Sequence, residues 1–406
     1  MPMSVDKSIS PLLVWIMAIG SCLTVSNIYY NQPLLADMMH TFHSNPKSMG
    51  AVPLFTILGY GFGLLLVVPL GDMMEKRKTI LISLGMAFIM LFLVSFSVNL
   101  PMLIGSSFFL GVFSIVPQLL IPYAAHLSAD KERGKVVGTV MSGLLIGILL
   151  SRTLAGFIDV HFGWRMVYQI AMGFMLLLLI GLWKGLPPYQ PDFKGHYGDL
   201  LVSIWHLARK YPSLRESAFI GFFLFAALNL FWSTLVFILK IPPYHFGADT
   251  AGSFGLIGAV GALGAPLFGR VSDSRGPRPV ILMGIVMEFI SFVLLYFFGF
   301  FLPVLILFVL MMDLGQQGSH ISNQTKIFAL DPGARSRLNT VYMFTAFMGG
   351  AMGSGIGTLI LSWGGLKGIS LAGMVLVGLA ATVYYFFSSH KSKESKGILY
   401  TGEVPS

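Results

Sequence analysis

Residues 72–78 read Asp-Met-Met-Glu-Lys-Arg-Lys, and residues 273–278 read Asp-Ser-Arg-Gly-Pro-Arg. The two polar runs begin 201 residues apart, and each lies between long apolar stretches. The next polar landmark keeps this spacing, because Asp130 and Asp331 each open a charged break before another apolar stretch. In a chain of 406 residues, an offset near half the length predicts two homologous halves in tandem. In a membrane protein, two such halves face each other across a central site.

The composition indicates that lipid is the solvent for most of the chain. The sequence is 55% hydrophobic and 11% charged, with a mean hydropathy of +0.79, whereas a soluble domain is about 25% charged. The net charge of +9 comes from basic residues in short loops between apolar runs, which argues against a nucleic-acid partner. The single cysteine, Cys22, excludes an intramolecular disulfide.

Twelve segments are apolar for about the 20 residues that crossing a bilayer requires. They are 12–35, 49–71, 79–98, 102–126, 137–158, 166–186, 216–239, 252–271, 280–300, 302–325, 339–361 and 368–388. We therefore expect an all-α integral membrane protein with twelve transmembrane helices in two six-helix repeats. Residues 1–186 and 216–388 form the two predicted bundles, 187–215 a cytoplasmic central loop, and 389–406 a disordered cytoplasmic tail.

The basic residues predict the orientation. With both termini on one side of the membrane, that side receives 21 of the 26 Lys and Arg residues. Both termini are therefore expected in the cytoplasm. The expected location is the cytoplasmic (inner) membrane of the cell. Within the central loop, Leu201, Ile204, Trp205 and Ala208 fall on one helical face. This pattern predicts a short amphipathic helix lying at the cytoplasmic membrane surface.

Several motifs resemble the major facilitator superfamily, and the resemblance covers nearly the whole chain. In the second polar run, Gly269, Asp273, Gly276 and Arg278 match the signature loop of that superfamily. The first run keeps the acid and the basic group but lacks the glycines. The segment Gly143–Gly156 resembles the antiporter motif of the exporter branches, and the run Asn27–Leu35 resembles the bacterial drug:proton antiporters.

The resemblance implies a cytoplasmic latch that holds the halves together when the protein is open outward. Asp130 and Asp331 would then pair with Arg77 and Arg278. The alternative is that these basic residues only set the topology. The predicted latch residues are Asp72, Arg77, Asp130, Asp273, Arg278 and Asp331.

The resemblance also implies that spans 1, 4, 7 and 10 line a cavity, and polar residues inside these spans agree with it. In span 10, the spacing of Asp313, Gln317, His320 and Gln324 predicts one polar stripe. A polar and aromatic cavity suits an amphiphilic organic substrate. The predicted cavity residues are Asn27, Tyr30, Asn31, Gln118, Arg152, Asn229, Trp232, Gln317 and His320.

Three residues are candidates for carrying a proton. Asp313 is predicted near the membrane midplane, where burial without a paired cation favours the protonated form. Its alternative role is a permanently paired structural acid. Glu288 is a weaker candidate, because span 9 is normally peripheral in this superfamily, and helix packing or pairing with a neighbouring span is the favoured interpretation. His320 relays protons, binds substrate or makes a lone polar contact.

Arg152 is predicted at the same depth as Asn27, so we expect it to point towards the Asn27–Asn31 cluster. It would bind an anionic group of the substrate, pair with a carboxylate, or serve a structural role.

These features predict a proton-coupled secondary active transporter that exports an amphiphilic small molecule, such as a drug-like compound, metabolite or siderophore, by rocker-switch alternation. An importer on the same fold is the alternative, and a non-transporting receptor is less favoured. No nucleotide-binding loop appears in the sequence, and no grouping typical of an enzyme, cofactor or metal site is present. The expected partners are a small-molecule substrate, protons and the lipid bilayer, and the expected assembly is a monomer.

Overall fold

The computed structural model describes residues 9–129, 131–189, 196–263 and 265–401. Regular structure in these residues is helical. The helices are, in chain order, α1 Pro11–Ser26, α2 Asn31–Thr41, α3 Pro46–Met49, α4 Ala51–Met73, α5 Lys76–Ser95, α6 Leu100–Phe113, α7 Val116–Leu127, α8 Arg133–Phe162, α9 Trp164–Gly185, α10 Tyr197–Lys210, α11 Pro212–Trp232, α12 Leu235–Lys240, α13 Ala248–Leu263, α14 Ala265–Arg275, α15 Pro277–Phe298, α16 Leu302–Phe328 and α17 Arg335–Thr401.

Local sequence explains many helix starts. Proline stands in the first turn of α11 and α15, where its missing N–H costs nothing and its fixed φ favours the helix. The side chains of Asn45 and Asn99 accept hydrogen bonds from the backbone N–H of Ser48 and Met102, and so cap α3 and α6. The predicted all-α fold is therefore confirmed.

In the described part of the chain, nine helices are long and apolar enough to cross a membrane, or ten if the bent pair α1 and α2 forms one span. The predicted spans 339–361 and 368–388 both lie within α17. Gly365 separates them, with φ 55° and ψ −149°, a conformation that is essentially restricted to glycine. The predicted span 252–271 coincides with α13 and α14 and includes residue 264, which is not described. The count of twelve spans stays a prediction.

Three of the predicted cavity-lining spans are broken near their middle. The breaks fall at residues 27–30 between α1 and α2, at 114–115 between α6 and α7, and at 233–234 between α11 and α12. Broken helices occur inside membranes only where other protein groups satisfy the freed backbone. Here serine and asparagine side chains join the breaks to neighbours: Asn27 donates to Ser114 at 3.4 Å, and Ser233 donates to Ser354 at 2.8 Å.

The two halves contact each other towards one end of the bundle. We call it the outer end; it carries residues 41–46 and 240–248, and the basic-residue count predicts that it faces outside. Lys240 of α12 pairs with Asp37 of α2 at 3.0 Å. Thr153 of α8 donates to the carbonyl of Gly252 in α13 at 2.9 Å. Helices α4 and α17 also pack together across the halves. The outer end is therefore closed in this conformation.

Helix α10 lies where the amphipathic helix was expected, but its buried face differs from the prediction. Leu200, Ile204 and Leu207 are buried, whereas Trp205 is 57% exposed. Leu207 packs with residues of α11, α16 and α17, and Tyr197 donates to the carbonyl of Leu66 in α4 at 2.7 Å. The helix is thus docked on the protein and bridges both halves. The tail side chains from residue 388 onward lie outside the described part, so the expected disorder of 389–406 stays a prediction.

Candidate substrate and proton site

Arg152 of α8 lies at the centre of the molecule, where the two halves meet. Its residue surface is 6% exposed. Its Nε donates to the side-chain carbonyl of Gln32 at 2.6 Å. The guanidinium lies over the ring of Tyr29 at 4.6 Å and over the ring of Trp232, from the other half, at 4.2 Å. Two aromatic faces attract a desolvated cation strongly, so these rings offset part of the cost of burying the charge.

Asp313 of α16 is an acid on which the charge of Arg152 acts. The indole of Trp232 lies beside its carboxylate, and Arg152 attracts it across the interface between the halves. No direct ion pair joins Asp313 to Arg152, although both side chains are described. Its Oδ2 is buried without a hydrogen-bond partner among the described residues. Such an atom is ready to accept a proton or a donor group from a ligand.

Gly258 of α13 makes room for this carboxylate. A Cβ at position 258 would lie 2.6 Å from the Asp313 Oδ2 atom and 3.4 Å from the Trp232 ring. A side chain there would displace the acid. Gly252, one and a half turns earlier, lets α13 approach the backbone of Arg152 closely in the same way. The small residues of α13 therefore bring the basic and acidic groups together.

Glu288 of α15 is closer to the site than we expected. The helix is peripheral, since Met283, Val286 and Phe289 are exposed. Glu288 itself is 0% exposed and turns inward. It packs on α16 at Gly315, both carboxylate oxygens lack hydrogen-bond partners in the described residues, and the charge of Asp313 acts on it. Two neighbouring acids without a direct cation, one of them fully buried, cannot both ionise cheaply.

A small cavity of about 10 Å³ lies between Arg152 and the outer end. It is far smaller than the roughly 300–1,000 Å³ of sites for drug-sized ligands. This cavity therefore has no room for such a molecule in the present conformation. The lining residues are Gln32, Pro33, Arg152, Trp232, Leu235, Val236 and Ala251.

Several predicted cavity residues of the first half face other partners. Asn31 donates to Thr56 of α4 at 3.1 Å, and Asn27 donates to Ser114 as described above. The ring of Tyr30 meets Tyr168 of α9, with centroids 6.3 Å apart. Gln118 donates to Tyr60 at 3.4 Å. Arg152 points towards this region, where it contacts Tyr29, which lies between the two asparagines, and Gln32, which directly follows them.

In the second half, the residues of the predicted polar stripe contact different partners. Tyr342 of α17 and the Nδ1 atom of His320 hydrogen-bond at 2.9 Å, and Gln324 donates to Asn339 of α17 at 3.2 Å. Asn229 donates within its own helix to Phe225 and lies against α17 at Gly350. Gln317 is half-buried. Of this stripe, Asp313 is the member that the structure brings to Arg152.

Of the two predicted latch pairs, that of Arg278 with Asp331 is not present in this conformation, and that of Arg77 with Asp130 lies outside the described residues. Arg278 pairs with Glu216 at 3.2 Å rather than with Asp331, and Lys326 pairs with the same buried carboxylate at 2.5 Å. Asp331 instead accepts from the backbone N–H of Gly333 at 3.0 Å. Arg77 donates to the carbonyl of Trp183. Asp130 and the side chains of Asp72 and Asp273 lie outside the described residues.

Sequence reasoning missed Tyr29, Gln32 and Gly258. Tyr29 and Gln32 lie inside the quoted run Asn27–Leu35, but the helical phase across the break was not known. For Gly258, the signal was its position between Gly255 and Gly261 in an apolar span, which marks close helix packing.

The sequence matches the model of the Major Facilitator Superfamily over residues 17–328 and again over 254–399. The chain belongs to this superfamily. It is 38% identical, over 94% of its length and 96% of the relative, to the uncharacterized transporter YgaY of Escherichia coli O157:H7. It is 24% identical to a probable sugar efflux transporter of Helicobacter pylori, over 89% and 91% of the two chains.

A crystal structure of a bacterial homologue of the human lysosomal transporter Spinster, inward-facing and unoccupied, has the same fold. The TM-score is 0.71 at 15% identity, covering 94% of this chain and 98% of that one. The protein is therefore a multi-pass membrane transporter for a small molecule and is not an enzyme, as predicted.

Proposed function

We propose that this protein is a proton-coupled secondary transporter that exports an amphiphilic organic molecule, with both termini in the cytoplasm. The observation that carries the proposal is the Asp313 carboxylate, whose buried Oδ2 lacks a partner while Arg152 and Trp232 face it from across the site. Tyr29 and Trp232 offer apolar surface beside the charged groups. Such a site suits a molecule with an aromatic or aliphatic body and a positive or hydrogen-bond-donating group.

The attraction between ionised Asp313 and Arg152 favours the conformation in which the outer end is closed. Arg152 belongs to the first half and Asp313 to the second, so separation of the halves at this level costs that attraction. A proton on Asp313 removes it, and a donor group of the substrate weakens it. The empty, ionised site is therefore the form that switches most slowly. Either the proton or the substrate allows the protein to change between its two conformations, and both bind the same carboxylate. The transporter therefore exchanges substrate for proton.

Glu288 supports this coupling as a second acid. It is fully buried and the charge of Asp313 acts on it, so an ionised Asp313 favours a protonated Glu288. We propose that Glu288 stays protonated while Asp313 cycles. His320 is hydrogen-bonded to Tyr342. We assign it either a structural role or a late proton-transfer step on the way to the cytoplasm.

The relative described as a probable sugar efflux transporter supports export. Import of an anionic metabolite is the second candidate, and Arg152 is the observation that favours it. An anion on Arg152 would bind best together with a proton on Asp313, which gives co-transport rather than exchange.

Reconstituted vesicles separate these functions. A pH-sensitive dye in the lumen reports proton movement when a panel of amphiphilic cations, neutral glycosides and organic anions is added outside. Exchange predicts that protons leave the lumen as an added compound enters. Co-transport predicts that the lumen acidifies. A compound that is transported without either change would contradict proton coupling.

The latch remains a separate proposal for the opposite conformation, in which the outer end is open. Asp72→Asn and Asp273→Asn should each slow transport only partly, since an exposed ion pair contributes about 0–1 kcal/mol. Wild-type rates in both variants would leave these loops as topology signals alone.

A further inference from the structure

A cluster of charged side chains at the closed outer end takes no part in the site described above. Asp37 lies near the end of α2, Asp159 near the end of α8, and Lys240 at the end of α12. Asp37 and Asp159 belong to the first half, and Lys240 belongs to the second. The ion pair of Lys240 with Asp37, at 3.0 Å, therefore crosses between the halves.

The two acids of the cluster lie side by side. The side chain of Asp37 lies within electrostatic range of Asp159, and Asp159 is 5% exposed with its Oδ2 lacking a hydrogen-bond partner among the described residues. Burial beside a second acid favours the protonated form of a carboxyl group. With a proton on Asp159, the pair carries a single negative charge, which the single positive charge of Lys240 balances.

Among the described residues, Lys240 is the one Lys or Arg side chain in an ion pair with Asp37 or Asp159, and His40, about one turn after Asp37 on α2, is exposed. The phenol of Tyr168 on α9 is within electrostatic range of Asp159. Arg165, also on α9, is turned away, with its guanidinium 4.4 Å from the Trp164 ring and donating to the carbonyl of Ser97 at 2.8 Å. On α13, Asp249 is exposed at the same end and adds negative charge. On α8 itself, His161 contacts the carbonyl of Phe157.

We propose that Asp37 and Asp159 form a proton-binding site of the outer gate, distinct from Asp313, and that a proton bound there holds the outer end closed against Lys240. When the outer end opens, Lys240 leaves with the second half and water reaches Asp159. The Asp159 carboxyl group then ionises more readily, so the open form binds the proton more weakly. By linkage, acid outside favours the closed outer end and alkali favours the open one. An exporter with this site would return to the inward-facing form fastest in an acidic exterior.

The test measures the conformation directly and needs neither a substrate nor transport. Spin labels on cysteines at Lys47 of α3 and Ser362 of α17, in the Cys22→Ala protein, would report the separation of the halves at the outer end. Both positions are exposed, and α3 packs against α17. The full-length protein also carries Asp313→Asn, so that titration of the central site does not contribute to the measured pH dependence. The result is then independent of whether the proposed transport mechanism is right.

Pulsed electron paramagnetic resonance on this protein in lipid nanodiscs would give the ratio of closed to open outer ends between about pH 5 and about pH 9, where a buried carboxyl titrates. The proposal expects this ratio to fall with rising pH by up to about tenfold per pH unit, the limit for one linked proton. Adding Asp159→Asn, which keeps the shape without the charge, should hold the closed form at every pH. Lys240→Gln should raise the open population even in acid.

The matched control is Asp249→Asn, which removes an exposed acid at the same end and should leave the titration unchanged. A ratio that is independent of pH, or one that titrates equally with and without Asp159→Asn, would overturn the proposal. Loss of the titration in Asp249→Asn would also overturn it, because the responsible acid would then lie outside the pair.

Discussion

Replacing Asp313 by asparagine tests how the transporter uses its proton. The change preserves the shape of the side chain beside Trp232, and it fixes the group in a neutral form. The free-energy loss in folding should be small. Arg152 keeps Gln32 and its two aromatic faces, and the charges are not in direct contact, so at more than about 4 Å and an effective dielectric constant near 20 their attraction is below about 4 kcal/mol.

The effect on transport should be large and specific. In the wild type, each proton that moves down a pH gradient of one unit provides about 1.4 kcal/mol, enough for roughly tenfold accumulation of a neutral compound. Asp313→Asn cannot release the proton that it mimics, so the accumulation ratio should fall to about one. Exchange of labelled for unlabelled compound at equal pH needs binding and switching only, and should persist.

The assay uses vesicles that contain the purified variant, an imposed pH gradient, and a compound selected from the panel by its proton flux. Glu288→Gln is the matched comparison, because it neutralises the neighbouring acid that we expect to stay protonated; its accumulation should remain close to that of the wild type. The reasoning would be refuted if Asp313→Asn accumulated the compound at the wild-type rate. The proton carrier would then have to be Glu288 or His320.

Three further predictions follow from the geometry. Arg152→Lys should lower transport by more than about tenfold without unfolding the protein, since an ammonium cannot stack between two rings as a guanidinium does; comparing transport rate with melting temperature checks this. Gly258→Ala should abolish transport, whereas Gly85→Ala, where a Cβ meets no atom within 4 Å, should not. In a cysteine-free background, a cysteine at Pro46 should react with an impermeant thiol reagent added outside, and a cysteine at Ser274 should not; reversed labelling would overturn the orientation.

The sequence contained enough information for the fold. Intramembrane polar residues and the 201-residue offset predicted two halves around a central site, and the superfamily match confirms the predicted fold. The helix phase was harder to predict. Successive residues of a helix point about 100° apart, and the break at residues 27–30 resets that phase, so Tyr29 faces Arg152 while Tyr30 faces Tyr168.

Contacts between distant helices were beyond single-sequence reasoning. Glu288 was expected to lie outside the cavity because its helix is peripheral, but a peripheral helix still has one face on its neighbour, and Gly315 leaves that face room for a carboxyl group. The ion pair of Arg278 with Glu216 joins α15 to α11, and no spacing in the sequence brings these positions together. The same holds for Asp37 and Lys240 at the outer end.

Proton release on substrate binding is the most direct measure of whether substrate and proton exchange at Asp313. Titration calorimetry of the compound into the purified protein, repeated in buffers of different ionisation enthalpy, counts the protons exchanged at equilibrium without any membrane gradient. We choose a pH at which Asp313 is protonated in the empty site. Exchange at Asp313 then predicts that the wild type releases about one proton per molecule bound and that Asp313→Asn releases none. Binding without proton release in the wild type, or equal release by Asp313→Asn, would contradict it.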